Sequence, residues 1–385
     1  MDNHTSSATI NKIHFKVKNP VLSGFLLKAI HKLGYQQPTP IQRKVIPLAL
    51  QAKDLVAMAR TGSGKTAAFL IPTIEKLQRH ASSILGPRML CLAPTHELAH
   101  QIARCTKQLA RFTDLQVIVL TGGRSIERQF ADLTNGSPDI AIGTPGRICH
   151  HVLEKSLRLT RTSILVIDEA DRLFEMGFAP TLDKILDSAV CKTRQIVLCS
   201  ATIPKLLDDF ASARLNSPTL LRLDADSKVP PGLASQFFLV TERQKHGALI
   251  FLLEKIIPTD SQVLVFVATR YHCELLAELL SKVSGIHSRR LFGAMDEDAR
   301  REAVDMFRKR RCQVLVATDV AARGVDLPLL DYVVHFHIPA EPKLLLHRSG
   351  RVARAGREGT VYALVSPSER PYMLDGLLYL GKPLQ

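Results

Sequence analysis

Asp54-Leu55-Val56-Ala57-Met58-Ala59-Arg60-Thr61-Gly62-Ser63-Gly64-Lys65-Thr66 is the stretch on which the fold turns. Its first six residues form a short apolar run of the kind a buried parallel strand uses. Two glycines, a lysine and a threonine follow, and then a helical pattern. Strand, Gly-rich turn and helix in that order are the context of a phosphate-binding loop. The glycines let backbone N–H groups converge on phosphates at a helix N-terminus. Lys65 would reach the β- and γ-phosphates, and the Thr66 hydroxyl would take a Mg²⁺ position. Ala59 stands where the general pattern begins with glycine. A plain Gly-rich turn with a surface lysine is the competing reading, and the flanking strand and helix count against it.

Working outward, similar apolar runs recur at Met89–Ala93, Val117–Leu120, Ile140–Ile142, Ile164–Ile167 and Gln195–Cys199, with amphipathic helices such as Ala99–Ala110 and Leu182–Ala189 between them. Buried parallel strands read this way, with function at their C-terminal ends. The pattern breaks at 224–236, where charges precede Pro230-Pro231-Gly232, so a linker is expected there. It restarts with strands at Val263–Val267, Gln313–Ala317 and Tyr332–Ile338 and helices at His272–Lys282 and Arg300–Arg310. The expectation is an α/β protein of two tandem domains with a ligand cleft between them.

Composition narrows the function. The chain has 385 residues, 46% of them hydrophobic and 23% charged, which excludes collagen-like and disordered classes. No apolar run is long enough for a membrane helix, and residues 1–11 lack the pattern of a secretory signal. The 51 Lys and Arg outnumber the 36 Asp and Glu, leaving +15, a balance that attracts polyanions. The seven cysteines include no CxxC pair, and Cys91 and Cys199 lie within apolar runs, so they read as buried thiols. His335 and His337 alternate on one expected strand without a third ligand nearby, so no metal site is expected there.

A second element must hold the metal and activate water. The run Ile164–Ile167 ends in Asp168-Glu169-Ala170-Asp171. Carboxylates crowded at a strand end are costly unless a positive partner sits near them. Mg²⁺–nucleotide is that partner. Asp168 would hold the metal shell, and Glu169 would position and deprotonate the attacking water.

These residues resemble the DEAD-box RNA helicases, and the likeness runs from about residue 22 to the end. Gly34-Tyr35-Gln36-Gln37-Pro38-Thr39-Pro40-Ile41-Gln42 resembles the family's Q motif, which implies ATP contacts at Gln37 and Gln42, with Gln42 reading the adenine edge. Pro94-Thr95-His96, Gly122-Gly123 and Thr144-Pro145-Gly146-Arg147 resemble RNA-backbone motifs, which implies contacts from Pro94, Thr95, His96, Gly123, Thr144 and Arg147. Ser200-Ala201-Thr202 resembles the motif that couples ATP state to RNA opening, and with it Asp171, Arg323 and His347 are implied in coupling. Val265-Phe266-Val267, Ala317-Thr318-Asp319 with Ala322-Arg323-Gly324-Val325-Asp326, and the run His347–Arg357 resemble motifs IV, V and VI. They imply nucleotide contact at Asp326, RNA contact at Thr318 and Arg300, and arginine fingers at Arg351 and Arg354. The loop 59–66 (Ala59, Arg60, Thr61, Gly62, Ser63, Gly64, Lys65, Thr66) and Phe15 complete the implied ATP site.

The resemblance implies two tandem RecA-like domains, at 15–223 and 237–370, after a tail at 1–14 and before a C-terminal helix at 371–385. The implied cofactors are ATP and Mg²⁺. The implied partner is RNA, held by its backbone, with no membrane and a monomeric state. The fingers and the phosphate loop fall in different domains, so RNA that bridges both would switch hydrolysis on. A narrower likeness, carried by Asp171–Phe178 and Pro371–Asp375, is to the nucleolar subgroup that helps assemble the large ribosomal subunit. It implies pre-ribosomal particles as partners and a nuclear, nucleolar location. Members of that subgroup carry a long further C-terminal region, so a fragment or a short form is expected here.

Three departures stand out. His96 replaces the family's arginine, Glu297 replaces its usual glutamine, and Val17 holds the place of an adenine-stacking aromatic, with Phe15 two residues earlier. An ATP-gated RNA clamp that hydrolyses only to release is the main alternative to strand separation. A kinase or GTPase fits the placed arginines poorly, and a DNA translocase is separated only by the 2′-OH. Restoring the charge with His96→Arg is expected to tighten RNA binding several-fold in a titration, by returning a charge-assisted phosphate contact. An unchanged affinity would remove His96 from the RNA backbone.

Overall fold

The computed structural model describes residues 22–59, 62–81, 86–123, 125–191, 194–223, 232–322, 327, 330–352 and 358–380. The chain divides into two compact units, Met1–Leu223 and Asp224–Gln385.

The first unit is built on strands β1 (Leu55–Met58), β2 (Met89–Leu92), β3 (Val117–Leu120), β4 (Ile140–Gly143), β5 (Ile164–Ile167), β6 (Gln195–Ser200) and β7 (Thr219–Arg222). They form one sheet in the order β3-β4-β2-β5-β6-β1-β7, with every pairing parallel. Helices cover both faces, which is why the central strands are continuous apolar runs. Leu55, Met89, Cys91, Ile142 and Val166 enter one core, and Val56, Leu90, Leu92, Leu165 and Ile167 enter the other.

The second unit carries β8 (Leu233–Leu239), β9 (Val263–Val267), β10 (Ser288–Leu291), β11 (Val314–Thr318), β12 (Tyr332–His335) and β13 (Gly359–Val365), ordered β10-β11-β9-β12-β13-β8 and again parallel. Its central strands β9 and β11 are buried along their whole length. The expected linker at 224–236 needs correction, because Leu233–Gln236 already belong to β8. Among the described residues that strand pairs only with β13, and its side chains stay partly exposed, which hides it from a search for apolar runs. The expected strand to Ile338 also stops earlier, at His335. Acidic residues at 296–298 fall at the N-terminus of the helix Glu297–Arg308, where carboxylates favour the helix dipole.

The N-terminal edge of the first sheet is held by one carboxylate. Asp139, just before β4, is buried and pairs with Arg88 at 2.6 Å and His80 Nδ1 at 2.8 Å. It also accepts the backbone N–H groups of Gln116 at 2.9 Å and Ala81 at 3.2 Å. Burial pushes this carboxyl up, but the hydrogen bonds from Gln116, His80, Arg88 and Ala81 prevail and hold it below its ordinary value. A depressed folded-state pKa stabilises above the ordinary carboxylate range and is lost as pH falls through the folded value. Asp139→Asn is therefore expected to cost about 2–3 kcal/mol near pH 7. In thermal melts from pH 7 to pH 3, the gap between variant and parent should begin to narrow below about pH 4; a gap independent of pH would contradict the ionised hub.

Candidate active site and nucleic-acid interface

In the first unit, the motifs sort along the C-terminal edge by strand order. The phosphate loop follows β1, Asp168-Glu169-Ala170-Asp171 follows β5, and Ser200-Ala201-Thr202 closes β6. These strands are neighbours, β5-β6-β1. Pro94-Thr95-His96 follows β2, Gly122-Gly123 follows β3, and Thr144–Arg147 follows β4, which are the neighbouring trio β3-β4-β2. One half of the edge thus collects the nucleotide chemistry and the other the expected RNA contacts.

On the nucleotide half, Gly64 caps the helix Lys65–Leu77 with φ 94°. A Cβ there would lie 2.6 Å from Gln42 Nε2 and 3.0 Å from Thr39 Oγ1. Lys65 is buried and its ammonium donates to the Ala59 carbonyl. Asp168 is also buried; burial pushes its carboxyl up, Lys65 opposes that, and Asp171 adds to it. Glu169 holds φ 47° and ψ 49°, a left-handed conformation that costs a non-glycine residue about 1 kcal/mol or more. Its N–H donates to Asp168 Oδ1 at 2.9 Å.

Asp171 is wired to β6. Its Oδ2 accepts from the Thr202 N–H at 3.0 Å and the Thr202 hydroxyl at 2.9 Å. Its own N–H lies 3.3 Å from Ser200 Oγ, which in turn donates to the Thr202 carbonyl. The structure thus brings Asp171, Ser200 and Thr202 into one hydrogen-bonded cluster.

Gln42 is engaged in a way the sequence reading passed over. Thr39 caps the helix Pro40–Leu50, and Gln42 completes a capping box. Gln42 Oε1 accepts from Thr39 N–H at 2.9 Å, and its Nε2 donates to the Gly64 carbonyl at 3.2 Å. One N–H and one lone pair of the amide are left for a base. The Thr39-Pro40-Ile41-Gln42 spacing is the sequence signal for this box. Gln37 is exposed and Thr66 half-buried. Ser63 Oγ is buried with no hydrogen-bond partner among the described residues.

On the other half, the Thr95 hydroxyl caps the helix His96–Leu109 by accepting from Leu98 N–H at 3.2 Å. The His96 ring lies against Gly122, whose missing Cβ would sit 2.9 Å from it. Gly123 has φ 77°, a turn that favours glycine. Pro94 and Thr144 are buried and Arg147 is half-buried.

In the second unit, Thr318 is buried at the end of β11. Arg348 forks onto the neighbouring Asp319 with two bonds of 2.7 Å. It also donates to the His337 carbonyl at 2.6 Å and lies 5.0 Å from the Phe266 ring centre. Burial, then Arg348, holds His335 well below its ordinary value, so its neutral ring can lie beside the guanidinium. Arg348 and Arg351 are 3% and 8% exposed, so neither belongs to a solvated basic face. Arg300 and His347 are partly buried. Phe15, Arg60, Thr61, Arg323, Asp326 and Arg354 lie outside the described residues, as does the side chain of Glu297.

Gly64→Ala should strain the loop backbone and drive a methyl into the Gln42 amide. Nucleotide affinity, measured by titration with a fluorescent ATP analogue, is expected to fall at least tenfold while the fold persists. Normal affinity would show that the loop tolerates a side chain there.

Residues 39–210 match the model of the DEAD/DEAH box helicase domain, and residues 246–356 match that of the helicase conserved C-terminal domain. The chain is 49% identical over 361 residues to the ATP-dependent RNA helicase DDX54 of Mus musculus, covering 94% of this chain and 41% of that protein. It is 45% identical over 396 residues to the ATP-dependent RNA helicase dbp-10 of Neurospora crassa, covering 94% and 42%. The chain thus spans about two fifths of the length of the curated relatives it matches. Among solved structures, S. cerevisiae Dbp5 bound to RNA and ADP BeF3 is similar at 28% identity and a TM-score of 0.82, over 94% of this chain and 93% of that one. A DEAD box protein from Methanococcus jannaschii is 32% identical with a TM-score of 0.57, over 94% and 96%. Both units of parallel sheet flanked by helices are the RecA-like kind found in those structures. The strand-end order of the motifs and these matches agree, and the chain belongs to the DEAD-box helicase family.

Proposed function

We propose that this chain is an RNA-stimulated ATP hydrolase that uses the ATP cycle to grip, bend and locally separate duplex RNA. The observation that carries the reading is the nucleotide half of the first sheet's edge. There a buried lysine and a buried carboxylate stand beside a strained Glu169, and Asp171 is bonded into Ser200-Ala201-Thr202.

Lys65 exchanges the Ala59 carbonyl for the β- and γ-phosphates of ATP. A hydroxyl oxygen from Thr66 and the Asp168 carboxylate, costly as a lone buried anion, are hard donors that suit Mg²⁺. When bound, that ion would offset negative charge on the phosphates. Glu169 accepts the proton of the attacking water. Arg351 and Arg354 of the second unit stabilise charge developing on the γ-phosphate, an effect worth roughly a thousandfold or more. They do so once RNA and ATP have drawn the two units together, so RNA acts as the switch. The Ser200–Thr202–Asp171 cluster passes a change at the phosphate to β6.

RNA backbone is gripped by Pro94, Thr95, His96, Gly123, Thr144, Arg147, Arg300 and Thr318, and the +15 charge suits that polyanion. The likeness to DDX54 and dbp-10 supports ribosomal RNA processing and large-subunit assembly as the setting, with pre-ribosomal particles as partners and the nucleolus as the place.

Steady-state ATP hydrolysis with and without single-stranded RNA tests the reading, beside Glu169→Gln. RNA should raise the rate at least tenfold, and the variant should lose at least a hundredfold. Equal rates without RNA would end the switch argument.

A further inference from the structure

Behind the Gly122-Gly123 turn runs a line of hydrogen bonds through buried side chains. Gln129 Nε2 donates to the Thr121 carbonyl at 2.9 Å. Gln129 Oε1 lies 3.2 Å from His151 Nε2, and His151 Nδ1 lies 2.9 Å from Ser156 Oγ. Thr121, Gln129 and His151 are 1%, 2% and 0% exposed, so water does not stand in for the bonds that join them.

The chemistry fixes the protons between His151 and Thr121. A carbonyl only accepts, so the Thr121 oxygen must face the amide NH₂ of Gln129. That turns Oε1 to His151, whose Nε2 must then carry the ring proton. Nδ1 is left as an acceptor, and the one proton of the Ser156 hydroxyl lies between it and the His151 carbonyl, which is 3.0 Å away. Burial, then Arg147 and His150, lowers His151 to about 4, so the ring is neutral with a single N–H at working pH. From His151 to Thr121 the donors point one way, and such chains strengthen one another.

We propose that His151 is a positioning residue for RNA binding: its Nε2–H locks the Gln129 amide in the orientation that holds the Thr121 carbonyl and so sets the Gly122-Gly123 turn. The inference rests on the proposed RNA contact at Gly123. Without the imidazole the amide is free to turn, and its oxygen would then oppose that of Thr121. The Phe130 ring packs edge-on to His151 at 5.0 Å, so an aromatic replacement can keep the packing.

The test compares His151→Phe, Gln129→Met, the double variant and the milder Ser156→Ala, with Leu109→Ala as a core control remote from the line. RNA-stimulated ATP hydrolysis gives two readouts, the RNA concentration for half-maximal stimulation and the rate at saturating RNA. His151→Phe and Gln129→Met should each raise the half-maximal concentration about five- to tenfold and leave the saturated rate within twofold. The double variant should be no worse than either single one, because both break one line. Ser156→Ala should shift the same way by a smaller factor, and it keeps the test open should His151→Phe not fold. Leu109→Ala should lower the melting temperature and leave RNA dependence alone. Stimulation of the parent with no shift in folded variants overturns the positioning role alone. So does an equal shift in Leu109→Ala, or additivity in the double variant. A parent that RNA does not stimulate overturns the functional reading and this inference with it.

Discussion

Seven parallel strands oblige seven chain segments to end at one edge of the first sheet. The rest of the molecule follows from that constraint. Each crossover returns over a helix, so the turns that leave the strands all gather at the C-terminal edge, however far apart they lie in the sequence. The strand order then decides who meets whom. Because β6 lies between β5 and β1, the Ser200–Thr202 segment stands between the acidic box and the phosphate loop, although over 130 residues separate it from the loop in the chain. The opposite edge carries no such chemistry. It carries Asp139, whose bonds to Arg88, His80 and Gln116 tie the starts of three strands together.

The two edges put buried charge to different uses. Asp139 is surrounded by donors and held below its ordinary value, a satisfied anion that stabilises. Asp168 is pushed up by burial and only partly relieved by Lys65, an anion that still lacks counter-charge. Glu169 adds a strained backbone beside it. Poorly satisfied groups of this kind persist where a ligand offsets the cost. In the second unit Arg348 follows the first pattern, with Asp319, a carbonyl and an aromatic face around it.

Much of this was legible in the residues. Central strands such as β2, β5 and β9 announce themselves because both faces are buried and every position is apolar, whereas the central β13 opens on Gly359-Thr360 and is not legible that way. The edge strands β7, β8 and β10 do not, since Thr219–Arg222, Leu233–Leu239 and Ser288–Leu291 mix polar and apolar residues on open borders. The phosphate loop and the acidic box could be read because each is contiguous. The line from Ser156 through His151 and Gln129 to Thr121 could not. Its members are spread over 36 residues of sequence, and each alone reads as an ordinary polar residue. The burial of Arg348 could not be read either, since spacing shows that arginines share a helix face but not whether the face meets water.

Gln42 shows how a local bond can serve a distant purpose. Its capping box and its bond to Gly64 leave room for the proposed adenine recognition. The amide has two N–H groups and an oxygen with two lone pairs, and the internal bonds use one of each. A free glutamine can turn its amide over and present donor and acceptor in either order. Here the Thr39 N–H fixes the oxygen and the Gly64 carbonyl fixes the nitrogen. The remaining donor and acceptor are therefore presented in one order before any base arrives. The N6/N7 edge of adenine needs one of each, whereas the O6/N7 edge of guanine offers two acceptors. If Gln42 meets the base as proposed, discrimination at this position would come from two backbone groups that never touch it, which is the preorganisation that a flexible side chain cannot supply by itself.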